Sequence, residues 1–182
     1  MNPLKPYLTA LAAVVVMGLA ACSTSPTKGA DVSDGIRTSL DQAGLKDVSI
    51  AQDRDKGVVT LGGYVPVDGD KSHAELIAKS KAGSQVVSNQ IAVVPVGGES
   101  DAKKVNSDLD KGIESNLDAA LIKAKLHDNV KYVVKNNVVT LTGDVDSQAV
   151  RTQSTEVASA VLNVHQVVNE LQVKEQKATS SK

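Results

Sequence analysis

The 182-residue sequence has no tryptophan or phenylalanine and only three tyrosines, so aromatic residues make up 2% of it. This scarcity argues against stacking platforms for bases or sugars. The 20 basic and 21 acidic residues nearly balance, whereas a nucleic-acid binder usually has a strongly basic face. The single cysteine excludes an intramolecular disulfide and a thiolate metal cage. What remains abundant is valine, and this composition favours a binding or structural module over an enzyme.

Residues 1–21 have the features of a secretory signal peptide. Lys5 and the N-terminal amine supply positive charge, and the apolar run from Leu8 to Ala21 contains no charged residue. As a helix this run would span ~21 Å, which is too short for a bilayer core of ~30 Å. The pattern predicts an exported and cleaved chain rather than a membrane span.

The run Leu19-Ala20-Ala21-Cys22 ends this segment and resembles the lipobox of bacterial lipoproteins. The resemblance implies that Cys22 becomes the new N-terminus and carries diacylglycerol on sulfur and an acyl chain such as palmitate on nitrogen. Stable anchoring needs about two such hydrocarbon signals. A buried or redox-active cysteine, or a conventional signal cleaved near Ala21, are the alternative interpretations. By resemblance to enterobacterial lipoproteins, Ser23 predicts the periplasm-facing side of the outer membrane.

Residues 22–30 are predicted to be the lipidated cysteine and a flexible tether. The eight residues after Cys22 are rich in Ser, Thr, Pro and Gly and show no apolar period. They reach at most ~28 Å when fully extended. The folded part is therefore expected to work close to the membrane surface.

The mature chain repeats itself at a shift of 80 residues. Residues 58–65, VVTLGGYV, align with residues 138–145, VVTLTGDV, and are identical at six of eight positions. In the same register Val87 and Asn89 align with Val167 and Asn169. Two matching segments in one register predict two copies of the same domain.

Each copy predicts the order α-β-β-α-β and therefore an α+β fold. Apolar residues at four-residue spacing, such as Ile36 and Leu40, indicate an amphipathic first helix. A crossover helix makes the last two strands parallel, which predicts a small three-stranded mixed sheet packed against two helices. Because so small a domain is marginal alone, the copies are expected to pack on each other. The predicted domains are residues 31–94 and 101–174, with a linker at 95–100 and a polar tail at 175–182.

Two copies of VVTL-x-Gly-x-Val, each followed by a helix and a Val-x-Asn strand, resemble the BON domain, named for bacterial osmotically inducible and nodulation proteins. The resemblance covers nearly all of residues 31 to 174, and the layout is similar to that of a dual-BON-domain lipoprotein of the Gram-negative envelope. The first copy departs from the second where Pro66 replaces Asp146. The resemblance implies roles in envelope integrity and stress tolerance. For some dual-domain lipoproteins of this kind it also implies binding of anionic phospholipid by the second domain.

No catalytic, cofactor or metal site is predicted. Gly63 and Gly143 end the predicted VVTL strands and are interpreted as tight structural turns before the second helix rather than as a phosphate-binding loop. The histidines have no metal-ligand spacing, and none recurs in the other repeat. The sole cysteine is assigned to lipid, and no nucleophile motif is present.

Two function classes remain. The first is a non-catalytic, outer-membrane-anchored protein that binds phospholipid or envelope proteins and preserves the barrier. The second is a periplasmic osmotic-stress protein with chaperone-like contacts to unfolded clients. Neither class involves nucleic acid or a small-molecule substrate. The short tether favours the first class. Lysines clustered in and after the first helix of the second repeat point to that repeat as the binding domain, but acidic residues are interleaved with them, and a solvated helix face is the alternative interpretation. These lysines are Lys103, Lys104, Lys111, Lys123, Lys125 and Lys131.

Overall fold

The computed structural model describes residues 28–174; the predicted signal peptide, Cys22 and the polar tail lie outside them. The first domain begins with a short helix and continues through a β-hairpin, a longer helix and a strand in two pieces. Its elements are α1 (Ser33–Gln42), β1 (Val48–Asp53), β2 (Val58–Val65), α2 (Asp68–Ala82), β3 (Val86–Asn89) and β4 (Ala92–Val93).

The second domain repeats this order with a longer first helix. Its elements are α3 (Glu99–Lys123), β5 (Lys131–Lys135), β6 (Val138–Thr142), β7 (Asp144–Val145), α4 (Gln148–Ser159), β8 (Gln166–Asn169) and β9 (Gln172–Val173). Helix α3 therefore begins inside the segment predicted as a linker.

Both domains have a small mixed sheet with the central VVTL strand between an antiparallel and a parallel neighbour. In the first domain β2 pairs with β1 antiparallel and with β3 and β4 parallel. In the second, β6 pairs with β5 and β8 in the same way, and β7 pairs with β9. The predicted α+β class with mixed sheets is confirmed. The last strand of each copy is divided into two short strands, a division that the sequence does not predict.

The apolar core of each domain lies between its sheet and its two helices. Leu61 and Leu141, which occupy equivalent positions in the repeat, are both fully buried. In α3 the predicted apolar stripe is buried only from Ile113 onward, whereas Val105 and Leu109 are 56% and 37% exposed. These two residues do not belong to the apolar core of the second domain.

Truncation of Leu141 to alanine is expected to destabilise the second domain by about 2–5 kcal/mol, because the cavity it leaves is lined by a close-packed core. Val133→Ala, in the neighbouring strand β5, is the matched control, since Val133 is 62% exposed. Urea unfolding measures both free energies. Equal costs for the two variants would contradict the strand register.

The first domain begins earlier than the sequence predicts. Gly29 N donates to Arg54 O at 2.8 Å, and the Arg54 Nε donates back to Gly29 O at 2.7 Å. Ala30 O accepts from the side-chain amides of Gln52 and Gln85. Residues 28–30 are thus bound to the β1–β2 hairpin and are not part of a free tether. This leaves residues 23–27 between Cys22 and the folded domain, with a reach of ~18 Å.

The two domains pack on each other, as expected for units of this size. Val58 from the first domain and Val138 and Val168 from the second form a buried cluster of their own, separate from both cores. Polar contacts surround this cluster, and they include an ion pair of 2.6 Å between Lys56 Nζ and Glu170 Oε2. We call this contact region the seam.

Candidate functional site

A groove of about 390 Å³ lies between α3 and strand β5 of the second domain. Three lysines line it, Lys103 and Lys111 from α3 and Lys135 from the end of β5. The spacing of eight residues places Lys103 and Lys111 about two turns apart on one side of the helix. The other lining residues are mostly polar, namely Asn106, Ser107, Asp110, Glu114, Asn136, Val134 and Ala92. We call this site the lysine groove.

Asp110, which precedes Lys111 in the sequence, accepts backbone hydrogen bonds with both of its carboxylate oxygens. Asp110 Oδ2 accepts from Asn136 N at 2.8 Å, and Asp110 Oδ1 accepts from Asn137 N at 2.9 Å. Asn136 and Asn137 form the β5–β6 turn with φ of 48° and 66°, angles that asparagine tolerates better than most residues. Asp110 therefore fixes the turn that carries Lys135 toward α3.

The composition of the lysine groove suits an oxyanion. Three ammonium groups face two carboxylates, and Asp110 is already hydrogen-bonded to two N–H groups. Lysine ammonium groups bind phosphate as point charges, and the amides of Asn106 and Asn136 add possible donors. The lining of the lysine groove therefore supplies cationic and amide groups that can bind an anion.

A second cleft of similar volume lies between α2 and the start of β8, at the seam. Its charges are largely paired within it. Lys79 Nζ lies 2.6 Å from Glu75 Oε1, and Asn89 Nδ2 donates to Glu75 Oε2 at 2.9 Å. Burial alone would raise the pKa of Glu75, but the hydrogen bonds from Asn89 and Lys79 hold that pKa below its ordinary value. Burial lowers the pKa of Lys71, which faces Asp68 and Glu75. This balanced cleft is a weaker anion site than the lysine groove.

The structure corrects the interpretation of the two glycines. Strand β2 continues through Gly63 to Val65, and Gly143 lies between β6 and β7, so neither forms a turn before a helix. Their φ angles are +87° and +124°. A Cβ on Gly63 would lie 2.1 Å from Asp47 O, and one on Gly143 would lie 2.5 Å from Asn129 O. Both glycines allow the start of the preceding strand to approach the VVTL strand closely.

The repeated asparagine of the Val-x-Asn motif holds each domain together. Asn169 Nδ2 donates to Arg151 O at 2.9 Å, and Asn169 Oδ1 accepts from Leu171 N at 3.0 Å. Asn89 makes the equivalent contacts to Lys71 O and Ile91 N. This residue therefore joins the second helix to the break in the last strand. The recurrence of this asparagine in both repeats marks the position as important, but the sequence alone does not show that its side chain connects the helix to the strand.

The structure brings only some of the predicted lysines together. Lys103 and Lys111 line the groove, joined by Lys135, which the sequence analysis missed because it lies in a strand rather than in the helix. Lys123 ends α3, and Lys131 begins β5.

The described residues, 28–174, contain no cluster of three metal-ligating side chains. His127 Nε2 lies 3.0 Å from Asp118 Oδ1. Within residues 28–174 no helix is long and apolar enough to cross a membrane.

A family model described as "BON domain" matches residues 29–95 and 109–175. A curated relative, osmotically-inducible protein Y of Escherichia coli (strain K12), is 32% identical over an alignment of 143 residues, and the alignment covers 74% of this chain and 67% of the relative. Two solved structures of CdsD, a structural protein of the type III secretion system of Chlamydia trachomatis, are 15% identical with TM-scores of 0.31 and 0.30. The matches cover 79% of this chain and 66% and 62% of those chains. Similarity this low carries no conclusion about this chain.

Proposed function

Because the chain belongs to the BON-domain family and contains two copies of the domain, we propose that it is a non-catalytic protein of the bacterial envelope. It is anchored in the outer membrane through lipidated Cys22, and its second domain binds anionic phospholipid head groups. By this binding it supports the outer-membrane barrier under osmotic stress. The name of the curated relative, an osmotically inducible protein, supports the link to osmotic stress.

The lysine groove is the observation that supports this proposal most strongly. It brings Lys103, Lys111 and Lys135 to one site of about 390 Å³, a volume within the range of ordinary ligand sites. A phosphodiester head group offers such a cluster two non-bridging oxygens that share one negative charge. A basic residue near an anionic membrane contributes about 1 kcal/mol to binding, so three lysines supply a substantial part of the affinity.

The binding of residues 28–30 to the first domain supports anchoring close to the lipid. Gly29 and Ala30 are held by Arg54, Gln52 and Gln85, so the five residues between Cys22 and the folded domain span at most ~18 Å, compared with ~28 Å for eight residues. A protein on so short a tether meets partners at the membrane and not across the periplasm. This favours a membrane-surface role over the capture of freely diffusing unfolded clients.

Replacement of Lys103, Lys111 and Lys135 by glutamine is expected to weaken binding to vesicles that contain anionic phospholipid. Loss of about 3 kcal/mol corresponds to roughly a hundredfold lower partition coefficient. Co-sedimentation of the unlipidated mature chain with vesicles of defined composition measures it. Binding of the unmodified chain is expected to fall between 0.1 M and 1 M salt, because the Debye length shrinks from ~10 Å to ~3 Å.

The matched control removes three exposed lysines elsewhere, Lys46, Lys81 and Lys125. This variant has the same net charge as the groove variant, so a nonspecific effect of charge would weaken both equally. Equal loss in the two variants, or salt-insensitive binding, would contradict a head-group site in the groove. Salt-insensitive binding would instead favour an envelope protein as the partner.

A further inference from the structure

The seam between the two domains has approximate two-fold symmetry. In the repeat register Lys56 is equivalent to Asn136, and Gln90 is equivalent to Glu170. Lys56 Nζ contacts Glu170 Oε2 at 2.6 Å, and Asn136 Nδ2 donates to Gln90 O at 2.7 Å. A two-fold axis would relate these two pairs of residues, but the contacts differ in kind, because Lys56 binds the side chain of Glu170 whereas Asn136 binds the backbone carbonyl of Gln90.

The buried centre of the seam obeys the same symmetry. Val58 and Val138 are equivalent residues and lie in one cluster, as expected for side chains beside a two-fold axis. Val168 completes the cluster, and its equivalent in the first domain, Ser88, is also buried, with 1% exposure. Each domain thus presents the same patch to the other, which is the isologous arrangement of a homodimer.

One contact departs from this symmetry and strengthens the pairing of unlike domains. Gln166 Oε1 accepts from Asn89 N at 3.0 Å, and Gln166 Nε2 donates to Val87 O at 2.6 Å. The side-chain amide thereby pairs with the free edge of β3 as a neighbouring strand would. The equivalent residue in the first domain is Val86, whose side chain cannot make these hydrogen bonds.

We propose that the seam is a homotypic docking surface whose second partner is another copy of this chain. In the exchanged dimer the first domain of each chain pairs with the second domain of the other. Every seam contact is preserved, including the Lys56–Glu170 ion pair, which now joins two chains. This inference does not depend on lipid binding by the lysine groove.

The divergence between the two copies explains why exchange is favoured over pairing of like domains. Two first domains would place Lys56 opposite Gln90, and two second domains would place Asn136 opposite Glu170. Neither arrangement contains the ion pair. Only a first domain facing a second domain regains it, together with the contacts of Gln166.

The connection between the domains is suited to exchange. It runs from Pro95 to Gly98, Val96 is 90% exposed, and Gly97 has φ of +83°. A short exposed hinge of this kind is a common site of domain swapping. A short linker also gives the second domain an effective concentration in the millimolar range, so pairing within one chain dominates in dilute solution. Exchange between chains competes with pairing within one chain when the protein is concentrated, and it dominates when pairing within the chain is blocked.

Two charge-reversed variants test this proposal in the full mature chain, with Cys22 replaced by serine. Lys56→Glu places two carboxylates at the seam, and Glu170→Lys places two ammonium groups there, so each variant alone loses the contact. In a mixture, an exchanged heterodimer restores both ion pairs at once. We expect multi-angle light scattering and native mass spectrometry of a 1:1 mixture to show heterodimer at least tenfold above either homodimer.

The double variant Lys56→Glu/Glu170→Lys is the control, because it restores the ion pair within one chain and is expected to remain monomeric. A mixture that stays monomeric at concentrations near 1 mM, or one that forms the two homodimers as readily as the heterodimer, would overturn the proposal. Deletion of Val96, Gly97 and Gly98 gives an independent measurement. It is expected to produce a dimer that Glu170→Lys dissociates, and a shortened chain that remains a folded monomer would also overturn it.

Discussion

Replacement of Gly63 by alanine is expected to unfold the first domain. The added Cβ would lie 2.1 Å from Asp47 O, a backbone atom that no side-chain rotation can move away. The φ of +87° is unfavourable for any residue with a Cβ. Relief of the clash requires the start of β1 to separate from β2, which would open the core around Val48 and Leu61. We expect a cost greater than about 4 kcal/mol, which is exceptional for a single substitution.

Gly35→Ala is the matched control within the same domain. Gly35 lies in α1, and a Cβ there meets no heavy atom within 4 Å. Alanine is expected to stabilise this helix by about 0.5–1 kcal/mol. Amide hydrogen exchange, which resolves the two domains separately, measures both effects. Unchanged protection of β1 and β2 in Gly63→Ala would show that the close approach of the two strands is wrong.

Replacement of Cys22 by alanine is expected to abolish lipid modification, so that the protein becomes either soluble or an uncleaved precursor, and is lost from the outer membrane. Alanine has no thiol to receive diacylglycerol, and lipid modification supplies the anchor in this account. The fold of residues 28–174 is expected to be unchanged, because its two apolar cores are built from residues within that range. Membrane fractionation and mass spectrometry of the mature protein measure the result.

The control for this variant is Ser23→Asp. It keeps the thiol, so the protein is expected to remain lipidated, and by resemblance to enterobacterial lipoproteins it is expected to move to the inner membrane. A mature protein with an unmodified Cys22, or a Cys22→Ala variant that stays in the outer membrane, would contradict the lipid anchor.

The fold was predictable because the same core positions occur in both copies of the repeat. Leu61 and Leu141 occupy the same position of the VVTL strand, and both are fully buried. The helices occupy equivalent positions in the two copies, so a single alignment of the repeats was enough to assign the elements of both domains. The ends of elements were less accurate: β2 passes through Gly63 because glycine relieves a contact between strands there. Nothing in the order of residues distinguishes that role from a turn.

The candidate site was only half predictable. Helical spacing places Lys103 and Lys111 on one side of α3, but Lys135 joins them only because Asp110 binds the β5–β6 turn. That contact joins residues 26 positions apart in sequence, and only the folded domain brings them together. The seam could not be foreseen for the same reason, because its residues are distant in sequence and meet only when the domains pack.

The central claim, that anionic head groups bind in the lysine groove, is tested most directly by mapping the bound lipid. Amide resonances of the 15N-labelled mature chain would be followed during titration with bicelles that contain phosphatidylglycerol, with phosphatidylcholine bicelles as the control. The account predicts saturable shifts centred on Lys103, Asn106, Lys111 and Lys135, and their loss in the triple glutamine variant. Shifts confined to the first domain or to the seam, or equal shifts with phosphatidylcholine, would contradict it.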